Sequence, residues 1–243
     1  SRKAYQMINT KILGVIPARA GSKGIPNKNI IEIGDQPLIK YTIDAALGST
    51  MITDCIVSTD SNNIASLAES LGSSAPFIRP KNLSDDKALS LPVIQHAVNF
   101  MEKKHVIRYD AVIMLQPTTP LRTSEDIDKS LSTLMSEKLD SVISVVEVEG
   151  NHPLRMKRIV NNRLVNYIDQ GHEDMRPRQE LPQVYIRNGA IYATLRDVLI
   201  DGDSFVGENS YPYVMSKEKS INIDTLSDLY LAQTYINNAK NKL

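Results

Sequence analysis

The sequence predicts an α/β protein of three layers, α/β/α, in which helices cover both faces of a mostly parallel sheet. Three observations predict it. Short apolar runs of strand length alternate with helical patterns along most of the 243 residues, which is typical of βαβ units. These runs are rich in isoleucine and valine, as strands buried on both faces should be. Hydrophobic residues make up 42% of the chain, enough to build a large core.

Each element follows from its local pattern. The predicted strands are residues 12–16, 55–58, 111–115, 142–148 and 190–194. The predicted helices have apolar residues near a period of 3.6, and they are residues 38–47, 64–71, 93–104, 127–134 and 226–238. Pro37 suits a first helical turn, Thr123 followed by Asp126 supplies a capping hydroxyl and early negative charge, and Gly72 suits a helix end.

The alternation of strands and helices breaks between residues 151 and 183, which contain three prolines and five arginines. We interpret this segment as a small excursion inserted into one domain that spans residues 1–243. Apolar residues on both sides of Asn161-Asn162-Arg163 predict a hairpin within it. A hairpin that protrudes from a sheet often packs on a second subunit, so we expect a dimerisation excursion and a homodimer.

Composition and charge exclude several classes of protein. The 28 basic residues equal the 28 acidic ones, which removes the positive field that non-specific nucleic-acid binding needs, so no nucleic-acid partner is expected. No apolar run approaches the roughly 20 residues that span a bilayer, and no signal-peptide core is seen, so we expect a cytoplasmic protein without a membrane partner. The single cysteine, Cys55, is expected to pack in the interior. His96 is expected to be a packed or surface histidine, because the four histidines lack zinc spacing.

A loop rich in glycine and lysine follows the first predicted strand, over residues 17–29. Backbone N–H groups at small residues there can approach phosphate oxygens closely, at the strand end where open α/β sheets bind ligands. Arg19 offers a planar fork, and Lys23 and Lys28 offer compact charges, a set that suits a triphosphate. The spacing matches neither the ATPase phosphate loop nor the dinucleotide fingerprint. The alternative is a solvated basic loop with turn-forming glycines.

Six blocks of sequence, in order, resemble the cytidylyltransferases that activate nine-carbon sugar acids, the CMP-N-acylneuraminate synthetase type. The resemblance covers residues 12–239. Its blocks are Ile16-Pro17-Ala18-Arg19 with Gly21-Ser22-Lys23-Gly24 and Lys28-Asn29, then Val57-Ser58-Thr59-Asp60 with Arg79-Pro80, Leu115 to Arg122, Pro177-Arg178-Gln179, Asn188 to Tyr192, and Ile223-Asp224-Thr225. The resemblance implies a Rossmann-like nucleotidyltransferase fold. It also implies CMP transfer from CTP to the anomeric hydroxyl of a sugar acid of the N-acetylneuraminate or legionaminate type, with release of pyrophosphate.

The resemblance implies a role for each block. Arg19 and Lys28 would control charge at the phosphates, together with Asp224 as the third catalytic residue. The nucleotide would contact residues of the first loop and the arginine that follows the second strand: Ala18, Arg19, Ala20, Gly21, Ser22, Lys23, Gly24, Asn29 and Arg79. Asn29 and Arg79 are the candidates for reading cytosine. Without the resemblance, Arg79 could equally be a surface arginine before a turn proline.

The sugar acid would contact polar residues from later blocks: Gln116, Thr118, Thr119, Arg155, Arg178, Asn188 and Tyr192. Gln116 follows an apolar strand, and the prolines beside it fix the loop so that its amide and two threonine hydroxyls point predictably. The alternative for this loop is a rigid strand-to-helix turn with local threonine caps. By resemblance, Arg155 and Arg178 would reach the site of the neighbouring subunit.

Asn222 and Asp224 are the candidate ligands for Mg²⁺, the expected cofactor. Alternation over residues 221–224 predicts a strand that points both side chains at one ligand. The family usually has aspartate at both positions, so Asn222 predicts weaker affinity for the free metal, although Mg²⁺ can use a single carboxylate with substrate phosphates and water. The alternative is a helix cap formed by Thr225 and Asp228, with Asp224 merely nearby.

Three other functions stay open at this point. The chain could be the related cytidylyltransferase acting on 3-deoxy-manno-octulosonate, or a sugar nucleotidyltransferase with another nucleotide. It could also be a non-catalytic nucleotide-binding relative, a reading to which Asn222 lends support.

Overall fold

The computed structural model describes residues 9–22 and 24–240, and its central feature is a six-stranded sheet. The strands of the described chain, in order, are β1 (Ile12–Pro17), β2 (Glu32–Ile33), β3 (Gln36–Pro37), β4 (Asp54–Ser58), β5 (Ala111–Met114), β6 (Ser141–Glu147), β7 (Lys157–Val160), β8 (Arg163–Asn166), β9 (Tyr185–Leu195) and β10 (Ser210–Val214). The α-helices are α1 (Leu38–Leu47), α2 (Asn62–Ser70), α3 (Ser90–His105), α4 (Ser124–Ser136), α5 (Arg196–Ile200) and α6 (Leu226–Lys240).

The large sheet has the strand order β10-β6-β9-β5-β1-β4. Strand β1 pairs in parallel with β4 and β5, and β10 pairs in parallel with β6. Strand β9 is antiparallel to both of its neighbours, β5 and β6, and it is the single reversed strand of this sheet. The expectation of a mostly parallel sheet is confirmed, and the strand predicted at residues 190–194 is present within β9. The sequence patterns did not indicate the reversed direction of β9 or the edge strand β10.

Two hydrophobic clusters cover the two faces of the sheet. In β1, Ile12 and Ile16 face the cluster formed with α1, α2 and α4, whereas Leu13 and Val15 face the cluster formed with α3 and α5. All four side chains are buried, because the helices cover both faces of this strand. The predicted α/β/α layering is therefore confirmed.

A third cluster joins α6 to the segment that precedes it and to the region after the first loop. Ile221 and Ile223 pack there with Ile25, Leu38 and Ile236. This packing brings a C-terminal segment against the loop that follows β1, although about 200 residues separate them in sequence.

Several local predictions are confirmed. The Thr123 side chain accepts from the backbone of Asp126, and Asp126 bonds back to the backbone of Thr123, so the cap predicted for α4 is a complete capping box. Cys55 packs against the first cluster, where burial raises the pKa of its thiol to about 11. His96 packs edge-on against Phe77, with 4.7 Å between ring centroids.

The predicted hairpin is present as β7 and β8, which form a separate two-stranded sheet. It turns through Asn161 and Asn162, both of which have positive φ, a conformation that asparagine tolerates. Within the described part of the chain, none of the helices has the length and apolar character needed to cross a membrane.

Candidate active site

A cleft of about 620 Å³ opens at the carboxyl ends of β1 and β5. Its walls come from the loop after β1, the segment before α3, the turn after β5 and the segment before α6. The site residues predicted from the sequence that line it are Arg19, Gly21, Ser22, Gly24, Lys28, Asn29, Arg79, Gln116, Thr118, Asn222 and Asp224. Parallel strands that end at one edge of a sheet explain how segments so distant in sequence meet here.

The loop after β1 is held in shape by its neighbours. The backbone N–H of Ala18 donates to the Ser58 carbonyl at 2.9 Å, and that of Ala20 donates to Asp60 Oδ1 at 2.8 Å. The buried Asn29 donates from Nδ2 to the Arg19 carbonyl at 3.0 Å. Ala18 and Ala20 were predicted to contact the nucleotide. Their backbone N–H groups are instead used in hydrogen bonds within the protein. Lys23, also predicted there, lies outside the described residues.

Two cations of the cleft are paired with carboxylates. Arg19 Nη1 lies 2.6 Å from Asp86 Oδ1, and Lys28 Nζ lies 3.0 Å from Asp224 Oδ1. The Lys28 side chain is 13% exposed, whereas the Asp224 carboxylate is 64% exposed. These pairs hold both cations at the cleft wall, from which they can contact an anion.

Arg79 is a buried arginine, not a surface one. Its Nε donates to Ser58 Oγ at 3.0 Å, its Nη2 to the Ser58 carbonyl at 2.5 Å, and its Nη1 to the Leu83 carbonyl at 3.3 Å. Burial lowers the pKa of this guanidinium, and the charge of Asp60 opposes the shift. Three of five N–H groups are used in these bonds, which leaves two donors for a ligand.

The turn after β5 is fixed by a fully buried arginine. Arg122 donates from Nη2 to the Gln116 carbonyl, from Nε to the Ala190 carbonyl at 2.7 Å, and from Nη1 to Thr42 Oγ1 at 2.8 Å. Burial lowers the pKa of Arg122 to about 9, opposed by the charge of Asp126, so it is charged at neutral pH. Gln116 therefore faces the cleft from a rigid backbone.

Thr119 and Gly189 complete the support of this turn. The buried Thr119 hydroxyl donates to the Asn188 carbonyl at 3.0 Å. Gly189 has φ of 79°, a conformation that favours glycine, and a Cβ there would displace the Gln116 side chain, whose Oε1 would lie 2.6 Å away. Thr118 lines the cleft, whereas Thr119 faces the protein interior.

Asn222 and Asp224 lie on the same face of their segment, as predicted, but the segment is not a strand. Ile221 and Ile223 are buried and the two polar residues are exposed, so the alternation persists in an extended segment without strand pairing. The segment bonds to the turn after β5 instead, because Ile223 N donates to the Thr118 carbonyl at 2.8 Å. Tertiary contacts with that turn and with α6 replace a sheet neighbour.

The capping alternative for this region is also present. Asp228 Oδ2 accepts from Thr225 N and Thr225 Oγ1, both at 2.8 Å, and from Asp224 N at 3.0 Å. This cap uses the backbone of Asp224, so its carboxylate remains available to the cleft. Capping and a ligand role are therefore compatible.

The residues here fit a magnesium site that is completed by a ligand. In residues 9–22 and 24–240, no three histidine, cysteine or carboxylate side chains gather where they could hold a metal by themselves. The exposed Asp224 carboxylate and the Asn222 amide, whose Nδ2 lies 3.3 Å from Asp224 Oδ2, offer one charged and one neutral oxygen donor. Mg²⁺ commonly uses one or two carboxylates and takes its other ligands from phosphates and water.

Besides Thr119, four more predicted substrate residues lie outside the cleft lining. Asn188 is buried and its amide bonds to Ser144 Oγ at 2.6 Å and Ser220 Oγ at 3.0 Å. Tyr192 packs against Phe205, at 5.6 Å between ring centroids. The two arginines of the excursion have other partners: Arg155 Nη2 donates to the Arg176 carbonyl, and Arg178 forms an ion pair with Glu149, which precedes the excursion.

Sequence reasoning missed four residues that shape the site. Asp86 and Ser90 line the cleft, Asp60 holds the loop after β1, and Arg122 holds the turn after β5. Asp60 and Arg122 stand inside the sequence blocks quoted above, so a signal was available for them. Asp86 carries no such signal, because its partner Arg19 lies 67 residues away.

Comparisons with known proteins show the family to which this chain belongs. A family model described as "Cytidylyltransferase" matches residues 13–229. The chain is 36% identical to the N-acylneuraminate cytidylyltransferase of Escherichia coli O18:K1:H7 over 97% of its own length, but it spans only 54% of that relative. It is 34% identical to a pseudaminic acid cytidylyltransferase of Campylobacter jejuni, with 92% of this chain and 95% of that one covered.

Two further comparisons concern a sugar-acid synthase and a solved structure. The CMP-N,N'-diacetyllegionaminic acid synthase of Campylobacter jejuni is 32% identical, with 93% of this chain and 95% of the relative covered. A CMP:2-keto-3-deoxy-manno-octonic acid synthetase solved with CTP superposes with a TM-score of 0.69 at 22% identity, covering 95% of this chain and all of that one, and shows the shared fold. From the match over residues 13–229 and the relatives that it covers almost entirely, this chain belongs to the cytidylyltransferase family.

Proposed function

We propose that this chain is a CTP-dependent enzyme that transfers CMP to the anomeric hydroxyl of a nine-carbon sugar acid and releases pyrophosphate. The observation that carries the proposal is the convergence of Arg19, Lys28, Arg79, Gln116 and Asp224 on one cleft. The names of the relatives, which refer to N-acylneuraminate, pseudaminic acid and legionaminic acid, support this acceptor class.

Arg19 and Lys28 would hold the phosphate chain. The reaction moves negative charge onto the leaving pyrophosphate, and preorganised cations stabilise that charge in the transition state. Arg19 supplies a fork for two phosphate oxygens, and Lys28 supplies a point charge. Backbone groups at Gly21, Ser22 and Gly24 would form the rest of the cradle. The proposed direct transfer requires no covalent intermediate with the protein.

Asn29 and Arg79 would read the cytosine base. The two unused N–H groups of Arg79 can donate to the cytosine carbonyl, and the Asn29 carbonyl can accept from the amino group. Both side chains are fixed by hydrogen bonds to the protein, so a base with the opposite donor pattern would leave buried polar groups unpaired.

Asp224 and Asn222 would hold Mg²⁺ together with the phosphates. When bound, the metal supplies positive charge that neutralises the phosphate oxygens during transfer. Lys28 lies against Asp224 and would turn to the phosphates. In the turn after β5, Gln116 and Thr118 would bind the hydroxyl and acylamino groups of the sugar acid.

We also propose a homodimer formed by the excursion at residues 151–183 of a single nucleotidyltransferase domain. The hairpin exposes large apolar side chains that an isolated chain leaves in water, with Ile159 78% and Leu164 69% exposed. Contiguous apolar surface of this kind favours a protein partner. A second copy would cover it and would bring Arg155 and Arg178 toward a neighbouring cleft, since they do not line the cleft of their own chain.

Pyrophosphate release tests the reaction. The protein is incubated with CTP and Mg²⁺ against N-acetylneuraminate, di-N-acetyllegionaminate, pseudaminate and 3-deoxy-manno-octulosonate, with UTP and ATP as nucleotide controls. We expect turnover with CTP and one nine-carbon acid. Turnover with 3-deoxy-manno-octulosonate alone would assign the eight-carbon activity. Binding of CTP without any turnover would instead support a non-catalytic relative.

A further inference from the structure

The charges that line the cleft cancel among the residues that the structure describes. Three cations face three carboxylates, namely Arg19, Lys28 and Arg79 against Asp85, Asp86 and Asp224. A phosphate chain that approaches these side chains meets no net positive charge, although such charge is what attracts an anion to a cleft. A phosphate chain would therefore gain most from Arg19 and Lys28 if it displaced the carboxylates that pair with them.

The contact between Arg19 and Asp86 joins two walls of the cleft, the loop after β1 and the segment before α3. Arg19 Nη1 donates to Asp86 Oδ1 at 2.6 Å. Both side chains are open to solvent, Arg19 at 30% and Asp86 at 47%. The carboxylate thus occupies one side of the guanidinium that the proposed function assigns to phosphate.

The turn that carries Asp86 is anchored on both sides. Before it, the Leu83 carbonyl accepts from the buried Arg79 at 3.3 Å. Within it, Asp85 Oδ1 accepts from Lys87 N at 2.9 Å, which closes the turn around Asp86. After it, Ser90 begins α3 at the cleft wall. Asp86 is therefore presented to Arg19 by a built turn.

A contact of this strength can be displaced by the right ligand. An ion pair between solvent-exposed side chains contributes at most about a factor of five to an equilibrium constant. A phosphate chain offers several negative oxygens, and an arginine fork binds two of them at once. A ligand with little charge interacts less favourably with Arg19 than the Asp86 carboxylate does, so it does not displace that carboxylate.

We propose that Asp86 is a specificity-determining residue that occupies Arg19 in the empty cleft and yields it to a polyphosphate chain. Asp86 then keeps Arg19 oriented before binding and disfavours anions of low charge. The inference rests on the proposed function, because it takes Arg19 as a phosphate-binding group.

Titration calorimetry of inorganic tripolyphosphate, without metal and at low salt, tests this role. Replacing Asp86→Asn removes the competitor, so we expect the Kd to fall about fivefold. The matched control is Asp85→Asn, which removes an equal charge from the same turn while its side-chain oxygen still accepts from Lys87 N. We expect a decrease of no more than about twofold for the control, since it acts only through the screened field.

A double-mutant cycle with Arg19→Gln separates competition from simple repulsion. If Asp86 acts through Arg19, then in the Arg19→Gln background Asp86→Asn should raise the affinity for tripolyphosphate no more than Asp85→Asn does in that same background. Two results would overturn the inference and leave the proposed function intact. One is weaker binding of tripolyphosphate by Asp86→Asn than by the unaltered protein. The other is an increase in affinity equal to that of Asp85→Asn, when each substitution is made alone. If the unaltered protein binds neither tripolyphosphate nor CTP, both proposals fail.

Discussion

Asp224 and Asn222 differ by one charge at neighbouring positions on the same face, and this difference predicts how the protein responds to metal. Replacing Asp224→Asn removes the one carboxylate of the pair, so the Mg²⁺ concentration for half-maximal pyrophosphate release should rise at least about tenfold. Replacing Asn222→Asp should lower that concentration. Mn²⁺ binding to the CTP complex, followed by electron paramagnetic resonance, should show the same order. Unchanged metal dependence in Asp224→Asn would refute its ligand role.

Arg122 supports the site without lining the cleft, and its removal should affect stability. Replacing Arg122→Met leaves the buried carbonyls of Gln116 and Ala190 without these donors, each costing about 1–3 kcal/mol, so the free energy of unfolding should fall by about 3 kcal/mol. Urea denaturation measures this loss. The control is Arg108→Met, which removes an exposed pair with Asp197 and should cost less than about 1 kcal/mol. Equal losses in the two variants would contradict the role given to Arg122.

At the scale of elements, the loop after β1 and the segment before α6 approach too closely for a side chain at one glycine. A Cβ on Gly24 would lie 2.4 Å from the Asp224 carbonyl, a backbone atom. Replacing Gly24→Ala should therefore push the two segments apart, at a cost of about 1–3 kcal/mol. Because both segments line the cleft, the Kd for CTP should increase about tenfold, as measured by calorimetry.

Gly21 provides the matched control for Gly24 in the same loop. It also lines the cleft, but a Cβ there would meet nothing within 4 Å. Because the Gly21→Ala variant retains the backbone N–H that the proposed phosphate cradle uses, its affinity for CTP should stay within about twofold, well below a tenfold effect. Similar losses in the two variants would show that the close approach to Asp224 does not matter for binding.

At the scale of the whole molecule, the exposed hairpin predicts association. We expect light scattering to give the mass of a dimer, and Ile159→Lys should shift it to the monomer because a charge on the hairpin is costly to bury in an interface. The control is Val106→Lys, at a position that is 89% exposed at the end of α3, which should leave the dimer intact. A monomer in the unaltered protein at micromolar concentration would contradict the proposed dimer.

Much of the fold could be predicted because its signals are local. Apolar runs and helical periods predicted β1, β4, β5, β6 and most of α1 to α4, and the Thr123 cap was visible as a hydroxyl three residues before an acid. The reversed direction of β9 has no local signal, because a buried strand reads the same in either orientation. The prediction of a strand at residues 221–224 was wrong, because alternation indicates which side chains are buried but does not show whether the backbone pairs with another strand.

For the site, the sequence alone established which chemical groups are available and in what order along the chain: a glycine-rich basic loop after β1, a polar turn after β5 and an acidic residue before α6. The tertiary structure decided their partners. It paired Arg19 with Asp86 and Lys28 with Asp224, buried Arg79, and placed Asn188 and Tyr192 away from the cleft lining. The physical reason is that residue type defines what a side chain can bind, whereas charge pairing and burial depend on contacts between segments that only the folded chain brings together.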